Sequence, residues 1–191
     1  MSHHSHRRFN PANKAKLDDP ERKKVLPPGK ILAELNIKET DTVLDLGAGT
    51  GYFTLPAARL TKKVIALDIE PEMLAVLRER VTESGFDHVE LLEGAIEQIP
   101  LNADQVDKVI ASLVLHEVEP LGAGIKEIKR VLKPGGRCLC LEWQKKETKQ
   151  GPPLEHRLGL EALQQAFQDE GFKIISHSFP TEAHYILVVE K

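Results

Sequence analysis

The sequence predicts an α/β fold: a doubly wound, seven-stranded, mostly parallel sheet with helices on both faces. One strand runs antiparallel, in a C-terminal hairpin. Three observations carry this. Short apolar runs alternate with helical periods over most of the chain. The first run, T-V-L-D-L, ends in a turn with glycine at every second position, Gly47, Gly49 and Gly51. The last two apolar runs lie too close together in sequence for a crossover. Strands alternating with helices imply right-handed crossovers and a covered parallel sheet. A strand joined to its neighbour by a short link must instead enter antiparallel.

The elements follow in order. Met1 to about Asp19 is a polar tail, expected to be disordered in isolation. Pro20–Pro28 predicts one or two charged helical turns ended by prolines. Residues 1–28 are thus a tail and cap segment, and 29–191 the domain proper. Pro28 suits a helix start, with Ile31, Leu32, Leu35 and Ile37 on one face. Strand Val43–Leu46 leads through the glycine turn to a helix near Tyr52–Leu60. Strand Lys63–Leu67 ends in Asp68. A helix from Pro71 to Ser84 follows, stopped by Gly85, the usual placement of proline and glycine at helix ends. Strand Val89–Leu92, a loop through Glu93–Asp104 and strand Val106–Leu113 come next. A helix near Leu121–Leu132, a turn at Lys133–Gly136 and strand Arg137–Trp143 complete the parallel part. The polar stretch Gln144–Leu158 is long enough to suggest a functional lid. Helix Leu160–Glu170 and strands Lys173–Ser178 and Tyr185–Glu190 close the chain.

Composition narrows the class. A chain of 191 residues suits one domain with a real core. A formal net charge of -3 argues against a nucleic-acid scaffold. The two cysteines, Cys138 and Cys140, sit on one face of a strand pattern, which fits a reducing, cytoplasmic setting rather than a disulfide framework. No apolar run approaches the roughly 18 residues of a membrane span.

Sites in parallel sheets form outside the carboxyl ends of the strands. That rim collects Asp45, Gly47–Gly51, Asp68, Glu93–Glu97, Ser112–Glu117 and Glu142–Trp143. The turn spacing is G-x-G-x-G, not the G-x-G-x-x-G that holds a pyrophosphate, and no G-K-S/T follows. Asp68 ends the second strand. An acid there chelates a ribose diol through charge-assisted hydrogen bonds. The pair points to an adenosine-type ligand with free ribose hydroxyls.

At these residues the chain resembles the class I S-adenosylmethionine-dependent methyltransferases. V-L-D-L-G-A-G-T-G-Y-F resembles their first motif, I-A-L-D-I-E-P-E-M their ribose-binding segment and L-E-G-A-I-E-Q-I-P-L their adenine-flanking segment. E-I-K-R-V-L-K-P-G-G-R is similar to the helix and turn before their fifth strand. The match covers about residues 30 to 143. It is nearest to the methyltransferase-type-11 and ubiquinone/menaquinone C-methyltransferase-like group, whose fold is Rossmann-like. The resemblance implies S-adenosylmethionine as cofactor. It places Asp45, Gly47, Ala48, Gly49 and Gly51 around the methionine part, Asp68 on the ribose, and Ile69 and Met73 on the adenosine. The family often carries an aspartate where this chain has Ala95, so backbone groups of Ala95 and Ile96 are expected to meet the adenine.

Methyl transfer from a sulfonium needs positioning above all, and a base only where the acceptor must lose a proton. His116 is the candidate base or acceptor-orienting group, with Glu117 as its partner. The alternative is a histidine held structurally at a strand end. Trp143 offers an aromatic wall and Glu142 a charge on the acceptor side; equally, they are a packed ring and an exposed acid. The expected acceptor is a small molecule, because no long insertion supplies a substrate domain. Neither membrane nor nucleic acid is an expected partner, and no metal site is assigned. His3, His4 and His6 in the tail allow copper or nickel binding, or form only a solvated tail. The competing function is a non-catalytic protein that senses S-adenosylmethionine or a metal.

Overall fold

A computed structural model describes residues 20–148 and 150–191. The histidines of the N-terminal tail lie outside the described residues. Two short helices open the described chain, α1 (Pro20–Val25) and α2 (Pro28–Ala33). Alternation then begins: β1 (Thr42–Leu46), α3 (Thr54–Ala57), β2 (Lys63–Asp68), α4 (Pro71–Glu83), β3 (Val89–Glu93), β4 (Val106–Ser112), α5 (Leu121–Val131), β5 (Leu132–Trp143) and α6 (Leu160–Asp169). Strands β6 (Lys173–Ser178) and β7 (His184–Glu190) end the chain.

The seven strands form one sheet in the order β3-β2-β1-β4-β5-β7-β6. Strand β7 is antiparallel to both its neighbours, and the other pairings are parallel. The period-2 alternation of strands divides the core. Leu44, Ile65, Val109, Cys138 and Leu187 face α5 and α6, where Ile125, Ile128, Leu163 and Phe167 cover them. Val43, Val64, Ile110, Leu139 and Val188 face the other way, onto Leu32, Leu35, Phe53 and Ala57. Both faces are covered, so β1 and β2 read as continuous apolar runs rather than alternating ones. Cys138 and Cys140 are buried and unbridged, with their Sγ atoms 3.7 Å apart.

Two expectations need correction. The helix expected near Tyr52–Leu60 is only the single turn Thr54–Ala57. Leu55 N–H donates to the Gly51 carbonyl at 3.2 Å, but Pro56 has no N–H to bond the Tyr52 carbonyl, which interrupts the ladder. The turn expected at Lys133–Gly136 lies within β5 as a bulge: Leu132 pairs with Val106, and the next pair is Arg137 with Lys108. The carbonyl of Lys191 accepts the Gly135 N–H at 3.0 Å, and its own N–H donates to the Gly136 carbonyl at 3.0 Å, which holds the bulge in the sheet.

Candidate active site

Beyond the carboxyl ends of β1, β2 and β4 lies a cavity of about 1210 Å³. Pockets for one drug-sized ligand run to about 1,000 Å³, so this space suits two adjoining ligands. Its first end is built from the glycine turn. Gly47, Gly49 and Gly51 all adopt positive φ, at 63°, 54° and 93°, a region costly to residues with a Cβ. A Cβ at Gly47 would stand 2.5 Å from Val114 Cγ2. The turn is anchored to β2: Ala48 N–H donates to the Leu67 carbonyl at 3.0 Å, and Gly49 N–H to Asp68 Oδ2 at 2.7 Å. The other Asp68 oxygen accepts the Glu70 N–H at 2.9 Å. Each carboxylate oxygen thus keeps a lone pair for a ligand hydroxyl. Burial raises the Asp68 pKa, opposed by these backbone N–H groups.

Asp45 lies beneath the turn, 2% exposed, and its Oδ2 accepts the Thr54 hydroxyl at 2.6 Å. Burial lifts its pKa to about 7 against that hydrogen bond, with the nearby Asp68 charge adding to the rise. Two desolvated acids beside a bare backbone favour a ligand that carries positive charge and hydroxyl donors. Ser112 Oγ, at the end of β4, is buried and has no hydrogen-bond partner among the described residues. It also lines the cavity, and such an orphan invites a ligand group.

The far end is built from β4, β5, β7 and the loop after β5. His116 sits in a 3₁₀ turn, Leu115–Glu117, directly after β4. That turn aims the ring at β5 rather than along the rim. Its Nδ1 lies 2.9 Å from Glu142 Oε2, and its backbone N–H donates to Oε1 at 3.2 Å. Glu117 Oε1 is 3.8 Å from the other ring nitrogen. Glu142 is the hydrogen-bonded partner that the sequence did not announce, and the expected Glu117 stands at ion-pair distance from the ring. Burial disfavours the charged imidazole, but attraction to Glu142, its hydrogen bond and Glu117 outweigh this and raise the His116 pKa. Glu142 itself is fully buried and does not line the cavity. Its side chain supports His116 instead of offering charge to an acceptor.

Of the other sequence-assigned residues, Asp45, Gly47, Ala48, Gly49, Asp68, Ile69, Met73, Ala95 and Ile96 line the first end, and His116, Glu117 and Trp143 the second. Gly51 does not line the cavity. A Cβ there would stand 2.5 Å from Leu77 Cδ1, so this glycine serves close packing against α4. Sequence reasoning missed Arg22, Ser112 as a lone hydroxyl, and His184, all of which line the cavity. The cover comes from Glu21, Arg22, Val25 and Leu26 around α1, and from Gln150–Pro153 and His156 after β5.

Residues 44–140 match the family of methyltransferase domains, about half of the chain. The chain belongs to that family. This methyltransferase domain is 34% identical over 121 residues to the demethylmenaquinone methyltransferase of Bacillus subtilis, covering 62% of this chain and 52% of that protein. It is 44% identical over 109 residues to an uncharacterised methyltransferase of Mycobacterium tuberculosis, covering 57% of this chain and 42% of the relative. The chain thus spans about half the length of the curated relatives it matches. A crystal structure of a S-adenosylmethionine-dependent methyltransferase from Aquifex aeolicus superposes with a TM-score of 0.90 at 29% identity, covering 96% of this chain and 99% of that one. The [4+2]-cyclase SpnF shares the fold with a TM-score of 0.78 at 19% identity, covering 87% and 80%. Family membership implies S-adenosylmethionine as the cofactor. The acids, orphan hydroxyl and bare backbone of the first end fit its ammonium, sulfonium and ribose.

Proposed function

We propose that this chain transfers a methyl group from S-adenosylmethionine to a small, planar acceptor held at the His116 end of the cavity. The observation that carries this is a single cavity with a glycine–aspartate cradle at one end and a carboxylate-backed histidine at the other. When bound, the cofactor supplies an electrophilic methyl on sulfonium. Asp68 takes the two ribose hydroxyls with the lone pairs its backbone contacts leave free. Asp45 and the glycine turn hold the cationic methionine end. His116 donates its Nδ1 proton to Glu142, which leaves Nε2 as the basic nitrogen towards the acceptor. There it removes the proton that an enol or phenol must lose before its nucleophilic atom attacks in line. Trp143 provides a flat wall for the acceptor. The Bacillus subtilis relative is named for demethylmenaquinone, and an acceptor of that planar, oxygen-bearing type supports the same reading.

Calorimetric titration with S-adenosylmethionine and S-adenosylhomocysteine tests the cradle, and labelled-methyl transfer to a small-molecule extract tests the chemistry. Micromolar binding with labelled product is expected. A folded protein that binds neither ligand sinks the reading. Binding without any labelled product favours a sensor, and the cyclase on this fold makes that second measurement necessary.

A further inference from the structure

Among the described residues, two buried side-chain polar atoms lack a hydrogen-bond partner: Ser112 Oγ and His184 Nε2. Both residues line the same cavity. Ser112 belongs to the cofactor end. His184 belongs to the other end, where it opens β7 opposite Trp143. The two rings are 4.1 Å apart, centroid to centroid, at 43°. His184 is 6% exposed.

The local hydrogen bonds fix which nitrogen carries the proton. Thr181 Oγ1 accepts the backbone N–H of Ala183 at 3.0 Å and that of His184 at 3.1 Å. A hydroxyl has two lone pairs and one hydrogen. With both lone pairs used, its hydrogen is left for His184 Nδ1, 2.8 Å away. Nδ1 is then an acceptor, and the ring proton sits on Nε2. Burial first, then the charges of Arg22 and Arg157, push the His184 pKa down to about 4 against the pull of Glu142. The ring is neutral at physiological pH. Leaving a buried donor without a partner is unfavourable, and a ligand oxygen relieves this.

We infer that His184 Nε2–H is a specificity-determining donor for the methyl acceptor: it hydrogen-bonds a carbonyl, phenolate or ether oxygen on a planar body lying against Trp143. This rests on the methyltransferase reading above. No proton is transferred at this nitrogen. Its role is the opposite of that of His116, whose proton sits on Nδ1 and whose Nε2 is basic. The site would therefore reject acceptors of the same shape that lack an oxygen there, because the donor would stay unpaired.

The test uses the full chain saturated with S-adenosylhomocysteine and two probes of one shape, the ketone 1-tetralone and the hydrocarbon tetralin. Imidazole ¹H–¹⁵N NMR reads the tautomer, and its titration curves give both affinities. His184 should show an Nε2–H signal that moves downfield with 1-tetralone, which should bind at least tenfold tighter than tetralin. His184→Phe keeps a ring against Trp143 but no donor, and should bring the two affinities together. His184→Gln keeps a side-chain N–H and should retain most of the preference. An Nδ1–H tautomer, equal binding of the probes by the unaltered protein, or a ketone preference that survives in His184→Phe overturns the inference. Binding of S-adenosylhomocysteine is measured first. Its absence is a failure of the methyltransferase reading, separate from any result with the ketone.

Discussion

At one end of the cavity, Gly47, Gly49 and Asp68 form a cradle of backbone geometry and a strand-end acid. At the other, His116, Glu142, Trp143 and His184 converge from β4, β5 and β7. The glycine–aspartate cradle of the first end is assembled within about 20 residues, and its shape follows from three positive φ angles and from the ties of Ala48 to Leu67 and of Gly49 to Asp68. The second end is an agreement between side chains up to 68 positions apart, from His116 to His184. The difference teaches that a cradle built from neighbouring residues leaves a local sequence pattern, while a cluster gathered from distant strands leaves none.

The largest expected effect breaks the second end and spares the first. His116→Ala should lower the methyl-transfer rate by about 10²–10⁴-fold, the range for a lost general base, with S-adenosylhomocysteine affinity unchanged. Equal loss of ligand affinity would show that the two ends are not separable. The pH profile sharpens the same point. Because Glu142 and Glu117 raise the His116 pKa, the rate should climb with pH through a value above the ordinary histidine figure of about 6.5. The ion pair's contribution to stability has the reverse trend. It is complete below the unfolded value and is lost as pH rises through the raised one. Glu142→Gln should move the rate limb towards lower pH.

Asp68→Ala is the complementary break. It removes the tie to Gly49 N–H and Glu70 N–H together with the proposed ribose contacts. Calorimetry should show cofactor affinity falling more than tenfold, with the acceptor KM little changed at saturating cofactor. An unchanged affinity removes Asp68 from the ribose role.

These two variants also mark how far the residues alone were legible. The mostly parallel sheet with its C-terminal hairpin, the glycine turn and Asp68 could be read because glycine spacing, alternating elements and a strand-end acid are local patterns; the strand order could not. The position of His116 was legible as a strand end. Its partner was not, since nothing near residue 116 signals that Glu142, on the neighbouring strand, lies 2.9 Å away. Glu142 and Trp143 are adjacent in sequence, yet one is buried behind the histidine while the other walls the cavity. Strand alternation foretells that split, but not which of the two faces the ligand. His184 carries no motif at all. Its Nδ1 meets Thr181 Oγ1 at 2.8 Å and its Nε2 has no partner among the described residues, contacts that no local pattern announces.

A subtler measurement sharpens the first end. Burial raises the Asp45 pKa to about 7, so the free protein takes up a proton there as pH falls through about 7. A cationic ligand favours the carboxylate and lowers that pKa. Binding of S-adenosylmethionine should therefore release protons, and affinity should rise with pH up to about 7 and level off above it. Calorimetry in buffers of different ionisation enthalpy counts the protons. Without ligand, the sign for stability is opposite. A raised acid pKa stabilises the fold fully below about pH 4, the unfolded value, and this is lost as pH rises through about 7. Asp45→Asn should abolish the proton release at Asp45 and flatten both curves.

The smallest effect concerns the cover over the acceptor end. Arg157 is buried, and its guanidinium donates to the carbonyls of Pro152 at 2.8 Å, Lys146 at 2.7 Å, Gln150 at 3.1 Å and Gln144 at 3.3 Å. It also lies 5.3 Å from the centroid of the Trp143 ring. One side chain therefore closes the loop over the ring that the acceptor is proposed to meet. Arg157→Lys keeps the charge but loses the planar fork, so it can serve only some of these carbonyls. Proteolytic nicking between Gln144 and Leu158 should quicken, and the acceptor KM should rise a few-fold. Cofactor affinity should hold, because no residue of that loop belongs to the cradle. A change in cofactor affinity as large as the change in KM would mean that the loop covers both ligands, and the division between the two ends would fail.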